Sequence, residues 1–230
     1  MVIGNGMVAQ RFMNYSTDNR FIIFASGVSN SKTSDAAAYQ REAALLQQAI
    51  EKYPQATLVY FSTCSVYDPD AQQTRYVQHK LQMEQLISDN HPGYYLFRVP
   101  NLAGHSGNPN TILNFFVYHI QHNINFDLWV NSTRNLIDID DMFVIADVLL
   151  QQGLYTNQAI NIANPVSYPV TDIVAAIERH LGIMANAIPI QKGSHFDIDI
   201  SPIAGLVKDW TSRFTTDYLS NLLRKYYPRQ

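Results

Sequence analysis

Tyr76 and Lys80 lie four residues apart, just beyond a hydroxyl-rich turn that runs Ser62-Thr63-Cys64-Ser65-Val66-Tyr67-Asp68. Leu81, Leu86 and Ile87 recur at helical spacing and predict a helix over 73–87. Side chains four apart on a helix share a face, so Tyr76 and Lys80 project together. A phenol at its ordinary pKa of about 10 moves protons poorly near neutral pH. A neighbouring ammonium favours the phenolate and draws the pKa toward the working range. A hydroxyl at the end of the preceding strand, such as that of Thr63, would share a carbinol or carbonyl oxygen with Tyr76 while hydride moves at the carbon. Taken alone, Tyr-x-x-x-Lys also occurs on ordinary helices, with the ring in the core and the lysine in water.

Other reactive side chains have simpler readings. Cys64 is the single cysteine, which excludes an intrachain disulfide and a cysteine-based metal site. A nucleophilic Cys64 needs a base such as His79, whereas a small filler at a strand end needs nothing further. His119 and His122 are three apart but lack a carboxylate or cysteine at ligand spacing, so no metal site is expected. Asp138, Asp140 and Asp141 precede a predicted helix and read as its cap and dipole partners.

The elements that must position these groups follow in order. Met1-Val2-Ile3 leads into Gly4-Asn5-Gly6-Met7-Val8-Ala9 and a helical pattern. This Gly-x-Gly-x-x-Ala turn suits close approach to a pyrophosphate, and equally a tight strand-to-helix turn with no ligand. The first strand is shorter than usual, which fits a trimmed native start. Apolar strands are predicted at 21–24, 58–61 and 94–99, with a helix over 35–53 between the first two. Strands alternating with helices give an α/β fold around a parallel sheet. Beyond Pro100 the sequence predicts a loop over 100–109, helices near 111–121, 141–151, 171–181 and 216–227, strands near 135–139 and 157–163, and an extended segment over 196–203.

The 230 residues are 47% hydrophobic and 15% charged, with a net charge of -3. Such a chain has ample core for one domain, 1–230, in which 101–134 and 164–230 are expected to form a smaller substrate-side lobe. The charge argues against a nucleic-acid partner, and the absence of a run of ~18 uncharged apolar residues argues against a membrane span. The chain reads as cytoplasmic.

In this order the motifs resemble the NAD-dependent epimerase/dehydratase branch of the extended short-chain dehydrogenase/reductases, which act on nucleotide sugars. The resemblance covers nearly the whole chain. It rests on Gly4-Asn5-Gly6 to Ala9, Phe24-Ala25-Ser26-Gly27, Ser62-Thr63-Cys64-Ser65-Val66-Tyr67, Tyr76-Val77-Gln78-His79-Lys80-Leu81 with Glu84, Arg98-Val99-Pro100-Asn101, Arg134 through Asp141, and Asn161-Ile162-Ala163. It implies a Rossmann-like sheet with helices on both faces, truncated on one side, and an NAD(P)-dependent epimerase or ketoreductase. Tyr76 would be the acid/base, Lys80 its partner and ribose ligand, and Thr63 the group that orients the substrate oxygen. NAD or NADP would lie along Gly4, Gly6, Met7, Val8, Ala25, Ser26, Gly27, Ser62, Tyr76, Lys80 and Pro100. Ser65, Asn101 and Arg134 would meet the nucleotide sugar, with Arg134 on the diphosphate.

Two departures bear on that expectation. About eleven residues separate Ala9 from Phe21, where the family inserts two strands and a helix that read the adenosine ribose. The outer side of the first strand would then be an edge or a homodimer seam. Cys64-Ser65 also stands where the dehydratases carry Asp-Glu, which speaks against dehydration. The other reading is a non-catalytic binding or assembly module that keeps the fold and has lost the site.

Overall fold

Short runs such as Phe21-Ile22-Ile23-Phe24 carry no polar alternation because both of their faces are covered. The computed structural model, which describes residues 1–207 and 209–228, orders the first half of the chain as strands and helices in turn. These are β1 (Val2–Ile3), α1 (Met7–Arg11), a 3-10 turn (Met13–Tyr15), β2 (Phe21–Phe24), α2 (Ala36–Lys52), β3 (Thr57–Thr63), a second 3-10 turn (Cys64–Tyr67), α3 (Arg75–Asn90) and β4 (Tyr94–Val99). The second half holds β5 (Asn101–Ala103), α4 (Ile112–Gln121), β6 (Phe126–Trp129), β7 (Thr133–Asp138), α5 (Ile139–Gln152), β8 (Gln158–Asn161), β9 (Ser167–Pro169), α6 (Val170–Leu181), β10 (Ala187–Ile190), α7 (Trp210–Arg213) and α8 (Tyr218–Tyr226). Five strands form one parallel sheet in the order β1-β2-β3-β4-β8. Helices flank it on both faces, which makes the fold α/β and Rossmann-like.

Successive residues of a strand point to opposite faces, and the core divides accordingly. Phe21, Ile23, Val59, Phe61, Tyr95 and Phe97 pack with Phe12 and Tyr15 and with Met142, Ile145 and Leu149 of α5. Ile22, Phe24, Leu58, Tyr60 and Leu96 pack with Leu46 and Ile50 of α2 and with Met83 and Ile87 of α3. The strand order advances in one direction while α1 lies on the face opposite α2 and α3. The crossover through α1 therefore has the opposite hand to the two that follow, although parallel crossovers are almost always right-handed. Val2 pairs with Ile23 and Ile3 with Phe24, and among the described residues no strand lies beyond β1.

A separate apolar cluster joins Ala103, α4, Phe126, Leu136, α6 and α8. Small sheets β5-β7-β9 and β6-β10 border it. Here the structure differs from the sequence expectation. The segment 100–109, expected as loop, opens with β5, whose three residues pair with β7 and are too few to show a period. The segment 196–203 pairs with no strand and is irregular, anchored by buried Ile203. Helix α3 starts at Arg75 rather than residue 73 because Thr74 caps it, its hydroxyl accepting from the Val77 N–H at 3.3 Å. Of the expected lobe segment 164–230, residues 208, 229 and 230 lie outside the described ones.

Candidate functional site

Because the five strands are parallel, the carboxyl ends of β1, β2, β3 and β4 open on one edge of the sheet, where open α/β sheets bind ligands. Gly4 to Gly6, Ala25 to Gly27, Thr63 to Ser65, and Pro100 with Asn101 all lie there. Gly4 has φ +127° and a Cβ on it would collide with the Ala25 carbonyl, so the two backbones approach as only glycine allows. Gly6 begins α1 without a side-chain cap and faces open space. Met7 and Val8 are half-buried, and the Met7 sulfur lies against Gly104.

Thr63 ends β3, and its Oγ1 accepts the Ser65 N–H at 3.1 Å, fixing the turn and leaving the hydroxyl proton free to donate. That hydroxyl reaches the Tyr76 phenol. Burial pushes the phenol up to about 12; the Thr63 contact pulls the other way, and the Glu42 charge adds to the rise. The expected lowering of Tyr76 by Lys80 is therefore corrected. Lys80 has another partner, and its Nζ stands 6.0 Å from the centre of the Tyr76 ring.

Lys80 sits almost wholly out of solvent with Nζ 3.0 Å from Glu42 Oε1, 3.0 Å from the Tyr60 hydroxyl and 3.4 Å from the Phe61 carbonyl. Burial lowers its pKa, and the Glu42 charge opposes that shift. Burial alone would raise Glu42, but His79, Lys80, Tyr60 and the Val28 N–H outweigh it and hold the carboxyl down to about 2. Gly27 lies over the ammonium: a Cβ there would come within 2.6 Å of Nζ. The sequence reading missed Glu42. Its one signal was position, a glutamate on the α2 stripe that also carries Tyr39, Leu46, Ala49 and Ile50.

The remaining candidates have protein partners. Ser62 donates to Glu84, which also holds Arg98. Ser26 accepts from Arg41 at 3.3 Å, and Asn101 donates to the Asn135 carbonyl at 3.0 Å. Arg134 donates to the Thr133 carbonyl and lies 3.6 Å from Asp68. Ala25, Ser65 and Pro100 are half-buried beside them. The Cys64 thiol donates to the Arg98 carbonyl at 3.2 Å, and burial raises its pKa, while His79 engages Glu42 and Tyr39. His119 and His122 each turn Nδ1 to a carbonyl of their own helix, at 2.7 and 2.8 Å. Among the described residues no three His, Cys, Asp or Glu are grouped to hold a metal, and no helix is long and apolar enough to cross a membrane. Asp138 caps α5, and with Asp140 and Asp141 it fastens the C-terminal segment through Lys225, Arg213, Tyr218 and Tyr226.

The sequence matches the NAD dependent epimerase/dehydratase family over residues 15–163, well over half of the chain. The chain belongs to that family. The match takes in Thr63, Tyr76 and Lys80, while the Gly4–Gly6 turn precedes it. Among curated proteins none matches the sequence. Solved structures of similar fold include dTDP-glucose 4,6-dehydratase from Bacillus anthracis in complex with NAD, at 14% identity and TM-score 0.70, covering 98% of this chain and 80% of that one. UDP-glucuronic acid 4-epimerase from Bacillus cereus, solved as a point mutant with NAD and a fluorinated UDP-sugar, is 16% identical at TM-score 0.64, covering 88% and 76%. A UDP-galactose 4-epimerase is 15% identical at TM-score 0.63, covering 81% and 69%. At these identities the likeness is one of fold.

Proposed function

We propose that this epimerase/dehydratase-family protein is an NAD(P)-dependent nucleotide-sugar epimerase or ketoreductase. The observation that carries the reading is the Thr63 hydroxyl set against the Tyr76 phenol at the carboxyl end of β3, with Lys80 one turn behind on α3. A dinucleotide fits the Gly4–Ala25 approach and the open backbone at Gly6, which a side chain would fill. Gly4, Gly6, Met7 and Val8 would hold the pyrophosphate side, and Ala25, Ser26, Gly27, Ser62, Pro100, Tyr76 and Lys80 the nicotinamide side. When bound, the cofactor supplies the hydride acceptor and donor.

The chain's own part is proton transfer. Thr63, anchored by the Ser65 N–H, donates to the substrate oxygen and fixes its distance from Tyr76. Tyr76 then gives or takes the proton at that oxygen. Ser65 and Asn101 bound the sugar. Arg134, whose pairing with Asp68 is long at 3.6 Å, can turn to a diphosphate. We also infer that this chain lacks the strand-helix-strand unit that reads the adenosine ribose. Support comes from β1 standing at the sheet edge and from α1 lying on the face that gives its crossover the opposite hand. The unpaired β1 edge is also where a homodimer would add strands, and segments 101–134 and 164–230 would supply the substrate-side lobe through α4, α6 and α8, except that Ile203 and Val207 pack into the core of the main sheet.

A specific observation favours the second reading, a non-catalytic module: Lys80 is covered and paired with Glu42. Incubating the purified chain and its Tyr76→Phe variant with UDP- and dTDP-hexoses plus NAD, and following the sugars by proton NMR, separates the two readings. Epimer or keto-sugar formed by the unaltered chain and lost in the variant supports the enzyme. Unchanged sugars throughout would leave the module.

A further inference from the structure

Glu42 has no role in the chemistry proposed above, yet it is fully buried and its carboxylate is met by polar groups on both oxygens. Oε1 accepts from Lys80 at 3.0 Å and from the Tyr60 hydroxyl at 2.6 Å, and Oε2 accepts the Val28 N–H at 2.6 Å. His79 brings Nε2 to 3.1 Å of Oε2 without making a hydrogen bond there. The ammonium is equally committed. A lysine has three N–H donors, and those of Lys80 face Glu42, the Tyr60 hydroxyl and the Phe61 carbonyl. None remains for Tyr76.

We propose that Glu42 is a positioning residue that takes Lys80 as its counterion and so sets the proton affinity of Tyr76. The mechanism is cancellation of charge. Seen from the phenol, carboxylate and ammonium together carry no net charge, so the lysine contributes little of the stabilisation a phenolate needs. The other groups facing Tyr76 are Thr63 and Cys64 from the turn and Tyr39 from α2, with Arg75 stacked over Tyr39. Those facing Glu42 are Tyr60 from β3, His79 and Lys80 from α3, and the Val28 backbone, and Glu84 acts on Lys80 from the next turn of α3. Of these, Lys80 is the ammonium that Glu42 holds by a hydrogen bond, at 3.0 Å. The same carboxylate fixes the Val28 backbone, so Lys80 and the turn after β2 are held by one group.

This rests on reading Tyr76 and Lys80 as the proton-transfer pair, but its test uses neither cofactor nor turnover, so the two can fail separately. Tyrosine labelled with carbon-13 at Cζ reports ionisation of each phenol, and Tyr76→Phe identifies the Tyr76 signal. In the unaltered chain that signal should stay fixed up to a pH of about 10, the ordinary phenol value. In E42Q it should move at a pH lower by about one unit or more, the usual reach of an unscreened neighbouring charge. In the double variant Glu42→Gln with Lys80→Met, again without net charge, it should return to the unaltered behaviour. An E42Q signal that titrates with the unaltered chain, or a double variant that titrates with E42Q, would overturn the proposal. Should E42Q not fold, the unaltered chain decides through nitrogen-15 spectra of lysine. Slowly exchanging Lys80 ammonium protons that Tyr76→Phe leaves unmoved are expected, and protons that shift with the variant would show a Lys80–Tyr76 bond and contradict it.

Discussion

Arg98 meets Glu84 on two prongs, Nε to Oε1 at 3.0 Å and a terminal nitrogen to Oε2 at 2.6 Å. This pair ties the end of β4 to the middle of α3, the helix that carries Tyr76 and Lys80. Ser62 adds its hydroxyl to the same carboxylate, which also fastens the strand end before Thr63. Removing one partner of a buried ion pair costs about 3–5 kcal/mol. Arg98 keeps one-fifth of its side chain in solvent, so the lower figure applies. Glu84→Ala should lose about 3 kcal/mol in urea unfolding and melt roughly 6–12 °C lower. A loss below about 1 kcal/mol, the range of surface pairs, would mean that apolar packing alone positions α3.

Acid stability should carry the signature of Glu42. Its carboxyl is held down to about 2 in the fold, against an ordinary 4.5. Between those values the unfolded chain binds the extra proton, so stability is present above about 4.5 and drains away as pH falls toward 2. Chemical unfolding at stepped pH should show this fall in the unaltered chain and a shallower one in Glu42→Gln. Parallel curves would place the acid sensitivity in other carboxylates.

Gly4→Ala tests the close approach at the glycine turn. Its φ of +127° and the collision of a Cβ with the Ala25 carbonyl require β1 and β2 to part. Holding a side chain in such a region costs on the order of 1–3 kcal/mol, so the variant should melt several degrees lower. A melt within error of the unaltered chain would show that the turn relaxes freely.

Much of the frame was legible because its signals are local. Apolar runs at 21–24, 58–61 and 94–99 read directly as covered strands, Thr63 stands at a strand end, and Tyr76 and Lys80 are fixed relative to one another by a helical turn. What could not be read depends on distant partners. Nothing near Glu42 in sequence reveals that residue 80 will meet it, because the two are 38 positions apart with a strand between them. The three-residue β5 and β9 exist only through pairing with β7, and the face taken by α1 follows from packing on α5.

Lys80 should prove structural as well as chemical. Lys80→Met strands the Glu42 carboxylate in the core, which costs about 3–5 kcal/mol, whereas adding Glu42→Gln removes that charge and should recover most of the loss. Tyr76→Phe, by contrast, should abolish turnover with stability and dinucleotide affinity little changed. Melting curves and calorimetric titrations on the three variants check this. Equal destabilisation of the single and double Lys80 variants would assign the cost to lost packing.

We infer that this family member binds a dinucleotide without the unit that distinguishes the two ribose forms. One charged contact is worth about 1.5–3 kcal/mol, so its loss should weaken binding by one to two decades and leave little preference. Calorimetric titration with NADH and with NADPH measures this directly. Weak binding of both is expected, with affinities within about tenfold, or ~1.4 kcal/mol. Tight binding of one cofactor and none of the other, or heat from neither, would contradict it.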